Sequence, residues 1–305
     1  MTPGSKVLGL AEGLAIALVA AACIAFQLWL PSTHVADSDY SALSQVLSAE
    51  AKPGDAMLLY PWWTERARLF MPEKVPVVGY FGSDADSLEL NPRIWVLSQP
   101  RLPRSDIDAF MKLFGPQRSE IGSERTFGNL SLRLFTNGRS RQVRFSANEK
   151  LAGARVYLED RNGARESCEF NGRTHRCPNG AEVLAEWHEL KFQPRNCIRF
   201  FPPGNGVKLV AEFANVPAAS SLTLLGGYIW EHAVHIGPEL AQTDLGLEVN
   251  GQTSVLSLPP GTDGVQRIER QSTPDGATVR VWVTASNPND REVCFELYGF
   301  GEAPQ

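Results

Sequence analysis

The feature that most constrains this chain is its first thirty residues. Val7 to Leu30 reads VLGLAEGLAIALVAAACIAFQLWL, 24 residues with a single charge, Glu12. As a helix at about 1.5 Å per residue it would reach roughly 36 Å, enough for a hydrocarbon core of about 30 Å with some tilt. The 275 residues that follow are of soluble character and hold four of the five cysteines. A chain of this plan is expected to be one anchor carrying a large globular part on the far side of a membrane.

Flanking charge sets the expected orientation. Lys6 precedes the apolar run; Asp37 and Asp39 follow it, and no Lys or Arg appears again before Lys52. Basic flanks stay inside, so the C-terminal part is expected in the periplasm or outside the cell. The even set Cys168, Cys177, Cys197 and Cys294 suits a compartment where disulfides form, although spacing alone does not exclude four reduced core cysteines. Ala20-Ala21-Ala22 before Cys23 offers a small-x-small exit and a faint lipoprotein pattern. The run continues past Cys23 as IAFQLWL and ends on Trp29, a residue suited to the interface, which favours an uncleaved signal anchor.

The 305 residues allow two domains after the anchor, expected at 40–136 and 141–305. Net charge is −5 with no long basic run, so nothing points to nucleic acid. Arg133, Arg139, Arg141 and Arg144 read as a solvated junction. Over 40–136, helix and strand signals alternate: Tyr40, Leu43, Val46 and Leu47 on one helical face, Pro53-Gly54-Asp55 as a stop, and Ala56–Tyr60 and Ile94–Leu97 as strands. The clearest helix is Ser105–Phe114, with Ser105 as N-cap, Ile107, Phe110, Met111 and Phe114 as apolar face, and Gly115-Pro116 as stop. Leu130, Leu132 and Leu134 alternate as in a half-buried strand. The pattern predicts a small α/β domain with a partly parallel sheet.

Two spots here offer ligand chemistry. Trp62, Trp63, Glu65, Arg66 and Arg68 follow a strand end, where open α/β sheets bind ligands; Trp faces stack on sugars while Arg and Glu hydrogen-bond them. The plainer reading puts one Trp in the core and leaves the charges solvated. Asp84 and Asp86 form an Asp-x-Asp pair that can hold a divalent ion, or simply a polar turn.

From 141 to 305, strand candidates at Val207–Phe213, Ser221–Trp230, Leu245–Val249, Thr253–Leu258, Val265–Gln271, Ala277–Ala285 and Glu292–Phe300 are punctuated by turns. Asn250-Gly251 is a tight hairpin signal, and Val279, Val281 and Val283 alternate with Arg280, Trp282 and Thr284. This predicts an antiparallel β-sandwich. Asn171-Gly172 between Cys168 and Cys177 suits a hairpin stapled to itself, which leaves Cys197 to pair with Cys294 across neighbouring strands; Cys23 stays single.

Two resemblances add to this. The order PGDAMLLYP, VVGY, RIWVLSQP, an amphipathic helix and FGNLSLRLF resembles the soluble tail of multi-spanning glycosyltransferases that use lipid-linked sugars, over roughly 40–135. The catalytic loop of that family lies among many membrane helices, so the resemblance implies an accessory fold without glycosyl transfer. The order from about 195 to 300, with LEVNGQ at its hairpin, resembles galactose-binding-like jelly rolls; such modules are mostly non-catalytic, often sugar-binding, and some hold a structural calcium, for which no motif is present here.

Motifs for hydrolases, zinc proteases, phosphate loops and redox dithiols are absent from the sequence. His232 and His235, in Glu231–His235, cluster without a convincing third ligand for zinc, so no metal is expected. The expectation is a membrane-anchored cell-envelope protein, non-catalytic, binding glycan or an envelope partner through its sandwich, its partners being the membrane through Val7–Leu30, glycan, or a multi-spanning membrane protein. The alternative is an enzyme or accessory subunit acting on lipid-linked sugars, with Trp62–Arg68, Asp84 and Asp86 at its site.

Overall fold

The structure, a computed structural model, describes residues 3–33, 35–61, 63–78, 88–102, 106–190, 193–229, 242–286 and 291–301. The chain forms two compact units, Met1–Pro76 with Arg93–Thr136, and Val77–Pro92 with Asn137–Gln305.

The first unit opens with helix α1 (Pro3–Thr33). Side chains are described for its residues 14–29, and Leu14, Ile16, Leu18, Val19, Ile24, Phe26 and Leu28 are all more than half exposed. That stretch is shorter than the roughly 20 residues a span requires, and among the described residues no helix is long and apolar enough to cross a membrane. The anchor expected at Val7–Leu30 therefore does not appear as a span: both its ends fall outside the residues whose side chains are described.

Helix α2 (Asp37–Glu50) buries Tyr40, Leu43 and Leu47, the apolar face read from the sequence, while Asp37 and Asp39 sit in its first turn. It leads into β1 (Ala56–Tyr60), a 3-10 turn (Glu65–Phe70) and, in a stretch that groups with the second unit, the short strand β2 (Val77–Val78). Then come β3 (Arg93–Ser98), α3 (Ile107–Phe114), β4 (Arg118–Glu120), β5 (Arg125–Phe127) and β6 (Leu130–Asn137). β1 runs parallel to β3, β3 antiparallel to β6, and β5 antiparallel to β6, giving the partly parallel sheet expected. Ser105 lies outside the described residues; the cap of α3 is Asp106, whose carboxylate accepts from Ala109 N at 2.9 Å. β6 is buried on both faces rather than alternating, Ser131 included, because it is a central strand with Phe135 packed edge-on against Phe114 of α3.

The Pro-Gly-Asp turn and the Arg-Ile-Trp strand are one device. Asp55, 1 % exposed, accepts from Arg93 Nη2 at 2.6 Å and Nε at 2.8 Å, from Trp95 Nε1 at 2.8 Å and from Lys52 N at 3.0 Å. The sequence motif thus ties the end of α2 to the central strand through a buried carboxylate, with every bond charge-assisted.

The second unit is a two-sheet sandwich. Its strands are β7 (Val143–Ser146), β8 (Arg155–Glu159), β9 (Arg165–Ser167), β10 (Glu169–Phe170), β11 (His175–Arg176), β12 (Glu182–Leu190), β13 (Gln193–Phe200), β14 (Lys208–Val216), β15 (Ala219–Tyr228), β16 (Thr243–Val249), β17 (Gln252–Leu258), β18 (Gln266–Thr273), β19 (Ala277–Ala285) and β20 (Val293–Phe300), with a helical turn α4 (Ala147–Lys150) after β7. One sheet has the order β10-β11-β12-β13-β20-β15-β18, with β7 on β20; the other runs β17-β16-β19-β14-β8-β9. Every pairing described in the two sheets is antiparallel.

The core between the sheets follows the period of two. Val279, Val281 and Val283 of β19 and Leu245 and Leu247 of β16 face Leu222, Leu224, Phe295 and Leu297 from the other sheet. Asn250 (φ 47°) and Gly251 (φ 82°) turn β16 into β17, the left-handed pair a two-residue hairpin demands. On the outer face of β16, Gly246 lies opposite Trp282, and a Cβ there would overlap the indole. Gly246→Ala is therefore expected to cost about 1–3 kcal/mol by overpacking, read as a lower melting temperature with altered tryptophan emission; an unchanged melt would show that the indole is free to move.

Both disulfides join the cysteines in the pairs expected. Cys168 and Cys177 staple the β10–β11 hairpin with Cα atoms 4.1 Å apart; Cys197 on β13 and Cys294 on the adjacent β20 lie 5.6 Å apart. Cys23 is the free cysteine among the described residues. The arginine-rich junction departs from a solvated linker. Arg141 stacks on Phe300 at 4.0 Å and binds Glu89, Glu269 and Ser221, and Arg133 binds Glu120.

Candidate functional site

Of the residues singled out between 62 and 86, the described ones, Trp63, Glu65, Arg66 and Arg68, stand on or beside one 3-10 turn. Trp62, Asp84 and Asp86 lie outside the described residues. Trp63 is half exposed just before the 3-10 turn. Arg66 binds Asp37 at 2.6 Å, which holds its guanidinium charged, and Arg68 binds Glu65 of the same turn. The charges are thus spent on neighbours, while Ala67 is buried and Phe70 stacks on Tyr40 at 5.0 Å. Glu231, His232 and His235 also lie outside the described residues, and among the described residues no group of three His, Cys, Asp or Glu could hold a metal ion.

The sandwich offers a cleft at one end. β13 belongs to one sheet and β14 to the other, so the loop 201–207, Phe-Pro-Pro-Gly-Asn-Gly-Val, must cross between them. Two prolines fix its course, and Asn205 (φ 60°) and Gly206 (φ 73°) take the left-handed turn that lets β14 start. Beside it stands the turn after Cys177, where Gly180 N bonds Cys177 O at 2.9 Å and Asn179 Oδ1 accepts from Ala181 N at 3.1 Å. The disulfide therefore pins one wall of the cleft.

The cleft holds about 600 Å³. Its apolar floor is Phe201, half-buried against the core, with Pro202 and Pro203. Asn179, Glu182, Arg199, Asn205 and Glu292 supply polar groups around it. The charges are compensated within the protein: Arg199 reaches Glu292 at 3.3 Å and Glu186 at 3.1 Å, and Arg176 holds Glu182 at 2.6 Å. An aromatic floor with a ring of donors and acceptors and no unbalanced charge suits a neutral polyhydroxylated ligand: apolar C–H faces rest on Phe201 while hydroxyls reach amides, carboxylates and guanidinium.

The outer face of the other sheet carries a second cluster. Tyr157, Val210 and Trp282 pack in a row across β8, β14 and β19. Around them Arg280 reaches Glu159 at 2.6 Å, Glu248 at 3.1 Å and Glu212 at 3.8 Å. Burial pushes the Tyr157 phenol up to about 12, Arg280 opposing, so it stays protonated and donates to Glu212 at 3.0 Å.

No protein-family model and no curated protein matches this sequence. Solved structures do. The chain is similar to the CBM22-1 xylan-binding domain from Paenibacillus barcinonensis Xyn10C (13 % identity, TM-score 0.25, 40 % of this chain and 82 % of that one). It is similar to the carbohydrate-binding module CBM36 in complex with calcium and xylotriose (10 %, 0.23, 40 % and 93 %). It is also similar to Xylanase10C from Cellvibrio japonicus in complex with xylopentaose (9 %, 0.28, 48 % and 27 %), so it spans about a quarter of that chain's length. At these scores the likenesses carry no argument about function. None of the three is a multi-spanning glycosyltransferase, and the resemblance drawn for residues 40–135 gains no support from them.

Proposed function

We propose that this chain is a non-catalytic cell-envelope protein that binds glycan through its β-sandwich, in the cleft floored by Phe201. The observation that carries the reading is the cleft itself: about 600 Å³, an aromatic and proline floor, and polar side chains whose charges are already balanced. Helix α1 would tether it, with Lys6 on the cytoplasmic side and the two units beyond the membrane. Two disulfides in the second unit agree with an oxidising compartment.

Full-length protein in detergent, applied to a glycan array that includes cell-wall fragments, tests the reading. Retention on a family of neutral oligosaccharides is expected, with Phe201→Ala losing at least tenfold of it, as befits a central stacking face worth about 2 kcal/mol. Retention of no carbohydrate would overturn the proposal.

A further inference from the structure

A second pocket, of about 280 Å³, lies where β8 and β9 meet the stapled hairpin. Arg155, Tyr157, Arg165, Ser167, Phe170 and His175 border it. Its chemistry differs from that of the cleft in two respects.

The first is charge. The lining of the pocket holds Arg155 and Arg165 and no carboxylate among the described residues; behind them on this outer face Glu159, Glu212 and Glu248 gather around Arg280, with Lys208 and Asp244 farther along. Arg280 touches all three carboxylates, so Glu159 and Glu212 keep a cationic partner when Arg155 and Arg165 turn elsewhere. Arg155 is 66 % exposed and reaches Glu212 at 3.3 Å, and Arg165 reaches Glu159 at 3.0 Å with its side chain 44 % exposed. Glu212 and Glu159 are only 12 % and 14 % exposed, but Arg280 stays beside both, so the exposed guanidiniums can turn to a ligand without leaving either carboxylate unpaired. Both guanidiniums flank Tyr157, at 5.8 and 4.9 Å from its ring, and open onto the pocket.

The second is a buried ring nitrogen. His175 is 2 % exposed, and its Nε2 lies 2.9 Å from the Leu151 carbonyl. A carbonyl only accepts, so Nε2 carries the proton and Nδ1 of the neutral ring is an acceptor. Nδ1 is buried and has no hydrogen-bond partner among the described residues. Buried acceptors are rarely left so without a purpose. Phe170, tilted against His175 with ring centroids 4.7 Å apart and 42 % exposed, adds an apolar face, and Ser167 a hydroxyl.

We propose that this pocket binds an acidic sugar residue, one that carries a carboxylate or phosphate near a free hydroxyl. The anion pairs with Arg155 and Arg165 in the forked geometry guanidinium favours. The hydroxyl donates to His175 Nδ1, and the ring rests on Phe170. The site is separate from the cleft at Phe201 and stands whether or not that cleft binds neutral glycan.

The test is calorimetric titration of the full-length protein in detergent with uronic-acid oligosaccharides and hexose 6-phosphates, beside their neutral counterparts and inorganic phosphate. At least one acidic series is expected to bind ten times more tightly than its neutral counterpart, and to weaken as salt is raised. Which series does so separates a carboxylate source from a phosphate source. Arg155→Gln with Arg165→Gln should lose at least tenfold, Arg155→Gln alone several-fold, and Phe201→Ala nothing. Arg155→Gln removes an exposed side chain, so its melting temperature should be that of the parent. Acidic sugars binding no better than neutral ones, binding unchanged in the arginine variants, binding lost with Phe201→Ala instead, or inorganic phosphate binding as tightly as any sugar would each overturn the proposal.

Discussion

Replacing Cys197 and Cys294 together by alanine is expected to lower the stability of the sandwich by about 4–5 kcal/mol. The bridge closes a loop of 97 residues, the sequence separation of the pair. In the chain-entropy model a loop that long removes far more freedom from the unfolded chain than the nine-residue loop of Cys168 and Cys177, for which about 2.6 kcal/mol is expected. The bridge lies on the outer face of its sheet, both sulfurs buried with Leu190 and Ile229 and with Val265 against them. Its removal therefore also costs packing. For a unit of this size the melting temperature should fall by roughly 10–15 °C, against roughly half as much for the hairpin bridge. Scanning calorimetry of the two double variants checks the order; equal shifts would mean that the long loop is already restrained in the unfolded chain.

The second large effect is expected at Asp55→Ala in the first unit. Removing this carboxylate strands Arg93 and the Trp95 N–H, both of which it binds below 3 Å, with Arg93 only 19 % exposed. Losing one partner of a buried pair costs about 3–5 kcal/mol, because the remaining charge stays desolvated. The same group sets a pH dependence. Burial raises the Asp55 pKa, but the bonds from Arg93, Lys52 and Trp95 outweigh it and leave the carboxyl below its ordinary value. A depressed folded-state pKa gives a stabilisation that is complete above the unfolded value near 4 and lost as pH falls through the folded value. Denaturant titrations of parent and Asp55→Asn should therefore diverge at neutral pH and converge in strong acid. Parallel curves down to the lowest pH would show that Asp55 is not the group responsible.

The fold was legible where one side chain period and one stop signal agreed. Phe110 and Phe114 before Gly115 marked α3, Val279, Val281 and Val283 marked β19, and Asn250-Gly251 marked the β16–β17 turn. Between 143 and 200 only the hairpin at Cys168–Cys177 was legible; β12, for one, interrupts its apolar positions with Glu182, Glu186, His188 and Glu189 along an extended hairpin. Asp55 was read as a helix stop, and only the structure shows it bound to residues 38 and 40 positions away. The cleft was out of reach for the same reason. Asn179, Arg199, Phe201 and Glu292 are brought together by strand order, and Gly204-Asn205-Gly206 by itself signals a turn. The pocket at His175 leaves no local pattern at all, since a lone histidine in a short hairpin looks like any other. Conversely, the aromatic and charged run at 62–68 had a strong local signal, and its described charges proved to be engaged with Asp37 and with each other.

The central claim, that the sandwich holds neutral glycan in the cleft at Phe201, is tested most directly by titrating the best array ligand into the full-length parent protein and into Phe201→Ala and Asn205→Ala. The account predicts saturable binding to the parent, at least a tenfold loss for Phe201→Ala and a smaller loss for Asn205→Ala, with both variants folded at the assay temperature though melting below the parent, since Phe201 packs on the core and Asn205 holds a left-handed turn. Binding of equal strength in all three proteins would contradict it.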